Sequence, residues 1–197
     1  MAPPEWSHNI HYYGVILNAV RLGCRRALDA GCGRGLLVRK LALRCGRVTA
    51  MDRDRPTLQA AEAGDVITYA FGSARFDFIS AVATLHHLPM RPALKRFRDL
   101  LQPEGVLAIV GLYRAGTLMD HTWNAVALPV SRAFKSTHRI ASVTAPPQEP
   151  RETLGEIRSA CLDILPGAAS AAAVIQIFFG AAKATELKIP MQAWLTS

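Results

Sequence analysis

A glycine-rich turn, two carboxylates placed around it and a pair of histidines are the residues of this chain whose types and spacing could do chemistry together. Gly31, Gly33 and Gly35 repeat as G-x-G-x-G. The apolar run from Arg26 to Ala30 ahead of them has the pattern of a buried parallel strand. Glycines at the carboxyl end of such a strand let a ligand approach backbone amides. A dinucleotide fingerprint would need a further glycine where Leu36 stands, so the nicotinamide reading fails there. Asp29, two residues ahead of Gly31, argues the same way. A turn built for pyrophosphate gains nothing from a carboxylate, whereas a ligand presenting an ammonium group can pair with one. Asp52 ends a second apolar run and could accept both hydroxyls of a ribose, a device that nicotinamide enzymes also use. Cys32 sits inside the turn, where a small side chain is all that is needed, and reads as structural rather than nucleophilic. His86 and His87 are the candidate bases, since an imidazole titrates near neutrality.

These residues need elements to hold them. An amphipathic helix is expected over 6–20, then the strand at 26–30. A helical stripe of Leu36, Leu37, Leu41 and Leu43 follows and stops at Gly46. A second strand over 48–51 ends on Asp52. A short helix over 56–63 follows, with Pro56 in its first turn. Strands are expected at 66–71, 76–83 and 106–112, and a helix at 91–101 stops at Gln102-Pro103-Glu104-Gly105. The third crossover helix is reduced or missing. Alternation of this kind predicts an α/β, Rossmann-like three-layer sandwich with a mostly parallel sheet. A helix over 153–165 follows, and residues 174–179 with 187–195 could close the sheet as an antiparallel pair.

The chain of 197 residues is half apolar and reads as one domain, 1–197. Residues 1–25 form a helical lid, 26–113 the binding core, 114–152 an insertion or cap, and 153–197 the last helix and strands. The net charge of +8 is uneven: ten basic residues lie from Arg21 to Arg55 against Asp29, Asp52 and Asp54. That bias favours anionic partners, yet nucleic acid is disfavoured because interleaved aromatics and zinc-ligand spacing are missing. No metal site is expected. Cys24, Cys32, Cys45 and Cys161 lack C-x-x-C spacing, and with no signal peptide ahead of Trp6 they suit a reducing cytoplasm. The uncharged stretch 164–182 is alanine-dominated and interrupted by Pro166 and Gly167, so stable membrane insertion is not expected.

Three segments together resemble a known family. Ala27-Leu28-Asp29-Ala30-Gly31-Cys32-Gly33-Arg34-Gly35 looks like motif I of the class I S-adenosylmethionine methyltransferases. The run from Phe76 to Leu88 resembles their fourth-strand motif, and Leu100 to Leu107 the approach to their fifth strand. The likeness covers roughly residues 10–113 and is nearest the small-molecule branch, similar to ubiquinone and menaquinone biosynthesis methylases. It implies S-adenosylmethionine as cofactor and in-line methyl transfer to a small-molecule acceptor. Gly31, Cys32 and Gly33 would face the methionine part, with Asp29 at its amino group. Asp52 would hold the ribose and Arg53 lie along the adenine. Ala81 and Val82 would touch the methionyl group through their backbone, with His86 and His87 edging the pocket. His8, His11, Tyr12 and Tyr13 would form a lid, and Tyr113, Asp120 and Trp123 would line the acceptor side.

Two departures from the family stand out. It usually places an acid after strand three beside the adenine amino group, and a strand at 66–71 leaves none there. Asp65 could serve only if that strand were lost. The alanine-rich tail also replaces the family's arginine- and aromatic-rich strand. Two alternatives therefore stay open: a methyltransferase-like protein with little or no activity, and a nucleic-acid or protein methyltransferase.

Overall fold

The computed structural model describes residues 12–53, 61–114 and 149–165, together with the backbone of two strands at 172–178 and 184–185. In chain order the elements are α1 (Tyr13–Asn18), β1 (Arg26–Ala30), α2 (Leu36–Leu41), β2 (Arg47–Asp52), β3 (Glu62–Ala63), β4 (Phe76–Val82), α3 (Met90–Leu100), β5 (Leu101–Leu112), α4 (Leu154–Ile164), β6 (Ala172–Phe178) and β7 (Ala184–Thr185). One sheet runs β3-β2-β1-β4-β5-β6-β7, with every pair parallel except β6 with β7. The expected α/β three-layer architecture is present.

The strands read as unbroken apolar runs because both faces of the sheet are covered. Leu28, Ala30, Ile79, Ala81, Leu107 and Ile109 pack with Phe97 of α3 and Ala160 of α4 on one face. Ala27, Phe78, Val106 and Ala108 pack with Ile16 of α1 and Leu37 and Leu41 of α2 on the other. Chain order reverses direction across the sheet between β1 and β4, which pair directly as Ala27↔Phe78 through Ala30↔Ala81. A crevice therefore opens beyond the carboxyl ends of these two strands. At their other ends Asp77 ties them together, accepting the backbone N–H groups of Arg25 at 2.9 Å and Arg26 at 2.8 Å.

Several expected boundaries change. Residues 66–71 are not a strand. The Asp65 carboxylate accepts the N–H of Ile67 at 2.8 Å and its carbonyl accepts those of Thr68 and Tyr69, which coils the segment into turns. Strand three lies earlier, at Glu62–Ala63, so the helix expected over 56–63 does not reach its end. Residues 64–75 hold no helix, in line with the missing crossover. The α2 helix closes at Leu41, leaving Leu43 beyond it and exposed. The sheet gains β6 parallel to β5, with Ala184–Thr185 antiparallel to it; the expected partner 187–195 lies outside the described residues. Within the stretch 164–182, residues 172–178 are strand, and among the described residues no helix is long and apolar enough to cross a membrane. The expected helix at 153–165 is α4, opened by a capping box in which Thr153 and Glu156 satisfy each other's backbone N–H. Residues 1–11, 54–60, 115–148, 166–171, 179–183 and 186–197 lie outside the described residues, and with them His8, His11, Asp120, Trp123 and most of the expected cap.

Asp77→Ala is expected to lower unfolding stability by about 1–3 kcal/mol, because two backbone donors at the head of β1 lose a charged acceptor. Chemical denaturation checks this, with Asp77→Asn recovering part of the loss.

Candidate active site

β1 delivers its last residues to the crevice. Ala30 ends the strand, and Gly31, Gly33 and Gly35 all take left-handed φ values of 79°, 47° and 70°. L side chains resist that conformation, so the G-x-G-x-G spacing meets a backbone need. At Gly31 space is a second need: an added Cβ would stand 1.9 Å from the hydroxyl oxygen of Thr84. That hydroxyl donates to the carbonyls of Ala30 and Val82, both at 3.0 Å, stitching the ends of β1 and β4 together. Ala83, between them, has a left-handed φ of 52°, unusual for alanine. The carboxyl end of β4 is thus a tight corner from which Leu85–His87 departs as a single 3-10 turn.

The turn's amides already have partners. Gly31 and Cys32 both donate to the Met51 carbonyl, at 2.8 and 3.0 Å, and Gly33 donates to Oδ2 of Asp52 at 2.6 Å. Asp52 consequently lies against the turn itself, brought there by the parallel pairing Ala30↔Met51. Cys32 is buried, and its thiol is pushed up to about 12 by burial, then by Asp29 and Asp52. It stays protonated, a packing residue. Arg53 follows Asp52 and is exposed. Ala81 and Val82 are buried at the end of β4.

Asp29 is the electrostatic centre. It is 2% exposed, and Oδ1 accepts the hydroxyl of Ser80, itself fully buried, at 2.7 Å. Burial pushes its carboxyl up to about 7; the Ser80 hydrogen bond opposes this and the charge of Asp52 adds to it. Among the described residues no cation pairs with it. Tyr13 of α1 is near enough to feel it: burial, then Asp29, pushes the phenol up to about 12. A cationic group entering beside Asp29 would meet a carboxylate that lacks a counter-charge. The donor set therefore fits a ligand with an ammonium and a ribose, whereas the turn amides offer a ligand carboxylate little.

His86 and His87 lie together, ring centroids 4.1 Å apart. His86 is 8% exposed, and its Nδ1 is buried with no hydrogen-bond partner. Burial, then His87, pushes it down to about 4, so it is neutral across the physiological range. Tyr113 is buried at the end of β5. Across the crevice, Arg96 of α3 braces the turns after β3, donating to the carbonyls of Val66 at 3.3 Å and Tyr69 at 2.5 Å and lying over the Phe71 ring. Ser80, Thr84 and Ala83 were not among the expected site residues. Lone hydroxyls in an apolar run, at Ser80 and just past it at Thr84, were the available signal.

A family model described as a methyltransferase domain matches residues 28–109. Uncharacterized methyltransferases of Mycobacterium tuberculosis and Mycobacterium bovis are 36% identical over 179 residues, covering 83% of this chain and 89% of theirs. The ubiquinone biosynthesis O-methyltransferase of Azotobacter vinelandii is 33% identical over 84 residues, 36% of each chain. Among solved structures, the YcgJ protein of Bacillus subtilis shares the fold, with a TM-score of 0.57 at 18% identity over 79% of this chain and 68% of that one.

Asp29 and His86 should leave opposite marks on stability. Asp29 holds its proton in the folded state up to about pH 7, so its contribution is full below the ordinary carboxylate range and is lost as pH rises to 7. His86, depressed to about 4, contributes above pH 6.5 and loses it as pH falls toward 4. Between pH 4 and 6.5 the two slopes oppose each other. Relative to wild type, Asp29→Asn should therefore gain stability as pH rises through this window, by up to ~1.4 kcal/mol per pH unit. Denaturant unfolding at several pH values measures it; an unchanged profile would contradict the assignment.

Proposed function

The chain belongs to the class I, S-adenosylmethionine-dependent methyltransferase family, and we propose that it methylates a small-molecule acceptor by in-line displacement. The observation that carries this reading is the pair of carboxylates at the glycine turn, one of them buried without a counter-charge. Bound there, S-adenosylmethionine supplies an electrophilic methyl on a sulfonium whose sulfur leaves as a neutral thioether. The residues then have separate tasks. Asp29 takes the ammonium, with Ser80 fixing its rotamer. Asp52 faces the ribose, while Gly31, Cys32 and Gly33 shape the wall beside the methionine part. Val82 and Ala81 bring β4's backbone up to the same part. Arg53 flanks the adenine.

Asp65 completes the adenine end. With 66–71 coiled into turns it stands directly after β3, half-buried. Its Oδ1 is held by Ile67, which leaves Oδ2 for the exocyclic amine of adenine. Arg96 keeps that turn in place from beneath.

His86 is too weak a base to strip a proton from an alkylammonium or an ordinary alcohol. Its buried, partnerless Nδ1 instead suits a hydrogen bond that orients the acceptor's hydroxyl, with His87 beside it. Orientation and exclusion of water are the main demands of a displacement with an activated leaving group. The A. vinelandii relative, a ubiquinone biosynthesis O-methyltransferase, supports a small aromatic acceptor. Four free, buried cysteines suit a reducing compartment, so cytoplasmic residence belongs to the same reading. A second reading, ligand binding with little turnover, draws on the internal partners of the turn amides.

Transfer of a labelled methyl group to a panel of quinols, phenols and RNA separates these readings. Turnover is expected on small hydroxylated aromatics; turnover on RNA alone, or on nothing despite cofactor binding, overturns it. For the adenine end, Asp65→Ala should erase about tenfold of discrimination between the adenine and hypoxanthine forms of S-adenosylhomocysteine, the share of one hydrogen bond.

A further inference from the structure

The opposite edge of the sheet is unlike the active site in every respect. The loops that enter β1 and β2 lie side by side there: Gly46 donates to the Cys24 carbonyl at 3.0 Å, and Arg47 to that of Arg25 at 2.8 Å. Arg44 ties the second loop to the end of α1 through the Leu17 carbonyl. From this joined surface two leucines project, Leu22 at 104% and Leu43 at 86% relative exposure. Nothing in the fold needs them outside, because the buried side of these loops is filled by Cys24, Leu41 and Cys45. The exposed basic residues Arg25, Arg44 and Arg47 lie on the same two loops, and Lys40 is exposed near the end of α2. The acids on this edge are already engaged: Asp77 accepts the amides of Arg25 and Arg26, and Glu104 faces Arg21.

We infer that this edge is a peripheral docking surface for an anionic phospholipid bilayer. Both parts of the pattern are needed for the argument. Cations alone would serve any polyanion, including nucleic acid or an acidic protein. Two protruding aliphatic tips on the same loops as these cations gain nothing from a phosphate backbone, and they replace the aromatic platforms that single strands stack on. Sunk into the interface of a bilayer, the same tips leave water while the guanidinium groups stay at the headgroups. The attachment is reversible and does not span. It also leaves the crevice at the carboxyl edge facing away from the lipid, open to cofactor and acceptor.

Sedimentation of the full chain with vesicles tests this directly. Vesicles of phosphatidylcholine mixed with phosphatidylglycerol should carry the protein down, and pure phosphatidylcholine should not. The double variant Leu22→Ser with Leu43→Ser is expected to lower partitioning about tenfold, and Arg25→Gln with Arg47→Gln by a similar factor. S-adenosylhomocysteine affinity should be the same for wild type and both variants, which shows that the fold is intact. Failure of that ligand to bind any of them would bear on the proposed function and not on this surface. Three results overturn the inference: no partitioning on anionic vesicles, partitioning that ignores the leucines, or tighter binding to an RNA duplex or polyglutamate than to the vesicles.

Discussion

Asp29 sits at the end of a strand covered on both faces, where ionisation costs desolvation and the charge of Asp52 adds to that cost. Much of the surrounding geometry follows from having to keep a carboxylate in that place. Ser80 offers it a hydroxyl from the neighbouring strand. The turn that follows can curl tightly because three glycines accept left-handed φ. Thr84 fills the volume that a side chain at Gly31 would claim. In the proposed function Asp29 is one half of an ion pair whose other half is the ammonium of the cofactor.

The parallel sheet separates two chemistries by about the length of one strand. At the carboxyl ends lie Asp29, Asp52 and Asp65, with His86 held neutral. At the amino ends lie Arg25, Arg26, Arg44 and Arg47. Parallel pairing makes this separation strict, since every β-strand from β1 to β5 contributes its start to one edge and its finish to the other. Of the basic residues between 21 and 55, Arg25, Arg26, Arg44 and Arg47 gather at the amino edge, whereas Arg34 and Arg53 lie at the carboxyl edge.

Legibility followed the physics of each segment. Strands with long apolar runs between glycine or proline punctuation, such as Arg26–Ala30 and Phe76–Val82, could be read to within a residue, because burial on both faces leaves no polar alternation to confuse. The segment 62–71 could not. Val66, Tyr69 and Phe71 are apolar because they pack beneath Arg96 and against the core as turns, and an apolar run of that length looks the same in a strand. Preferring a strand at 66–71 set Asp65 aside, since it could serve only if that strand were lost. The placement of Asp29, Asp52 and the glycines at the ends of β1 and β2 was legible because strand, turn and carboxylate have fixed offsets. Ser80, Thr84 and the strain at Ala83 were not, since their roles depend on which strands become neighbours. Leu43 was read as part of a helical stripe, and only the early end of α2 shows it to be exposed.

If Asp29 is a buried carboxyl awaiting a cation, ligand binding must drive its proton off. Calorimetric titration with S-adenosylhomocysteine near pH 6.5, repeated in buffers of different ionisation enthalpy, counts protons released on binding. The predicted result is release approaching one proton per ligand, with affinity rising as pH climbs from 6 toward 7.5, and both effects lost in Asp29→Asn. Binding that is independent of pH and releases no proton, or wild-type behaviour in Asp29→Asn, would contradict the account.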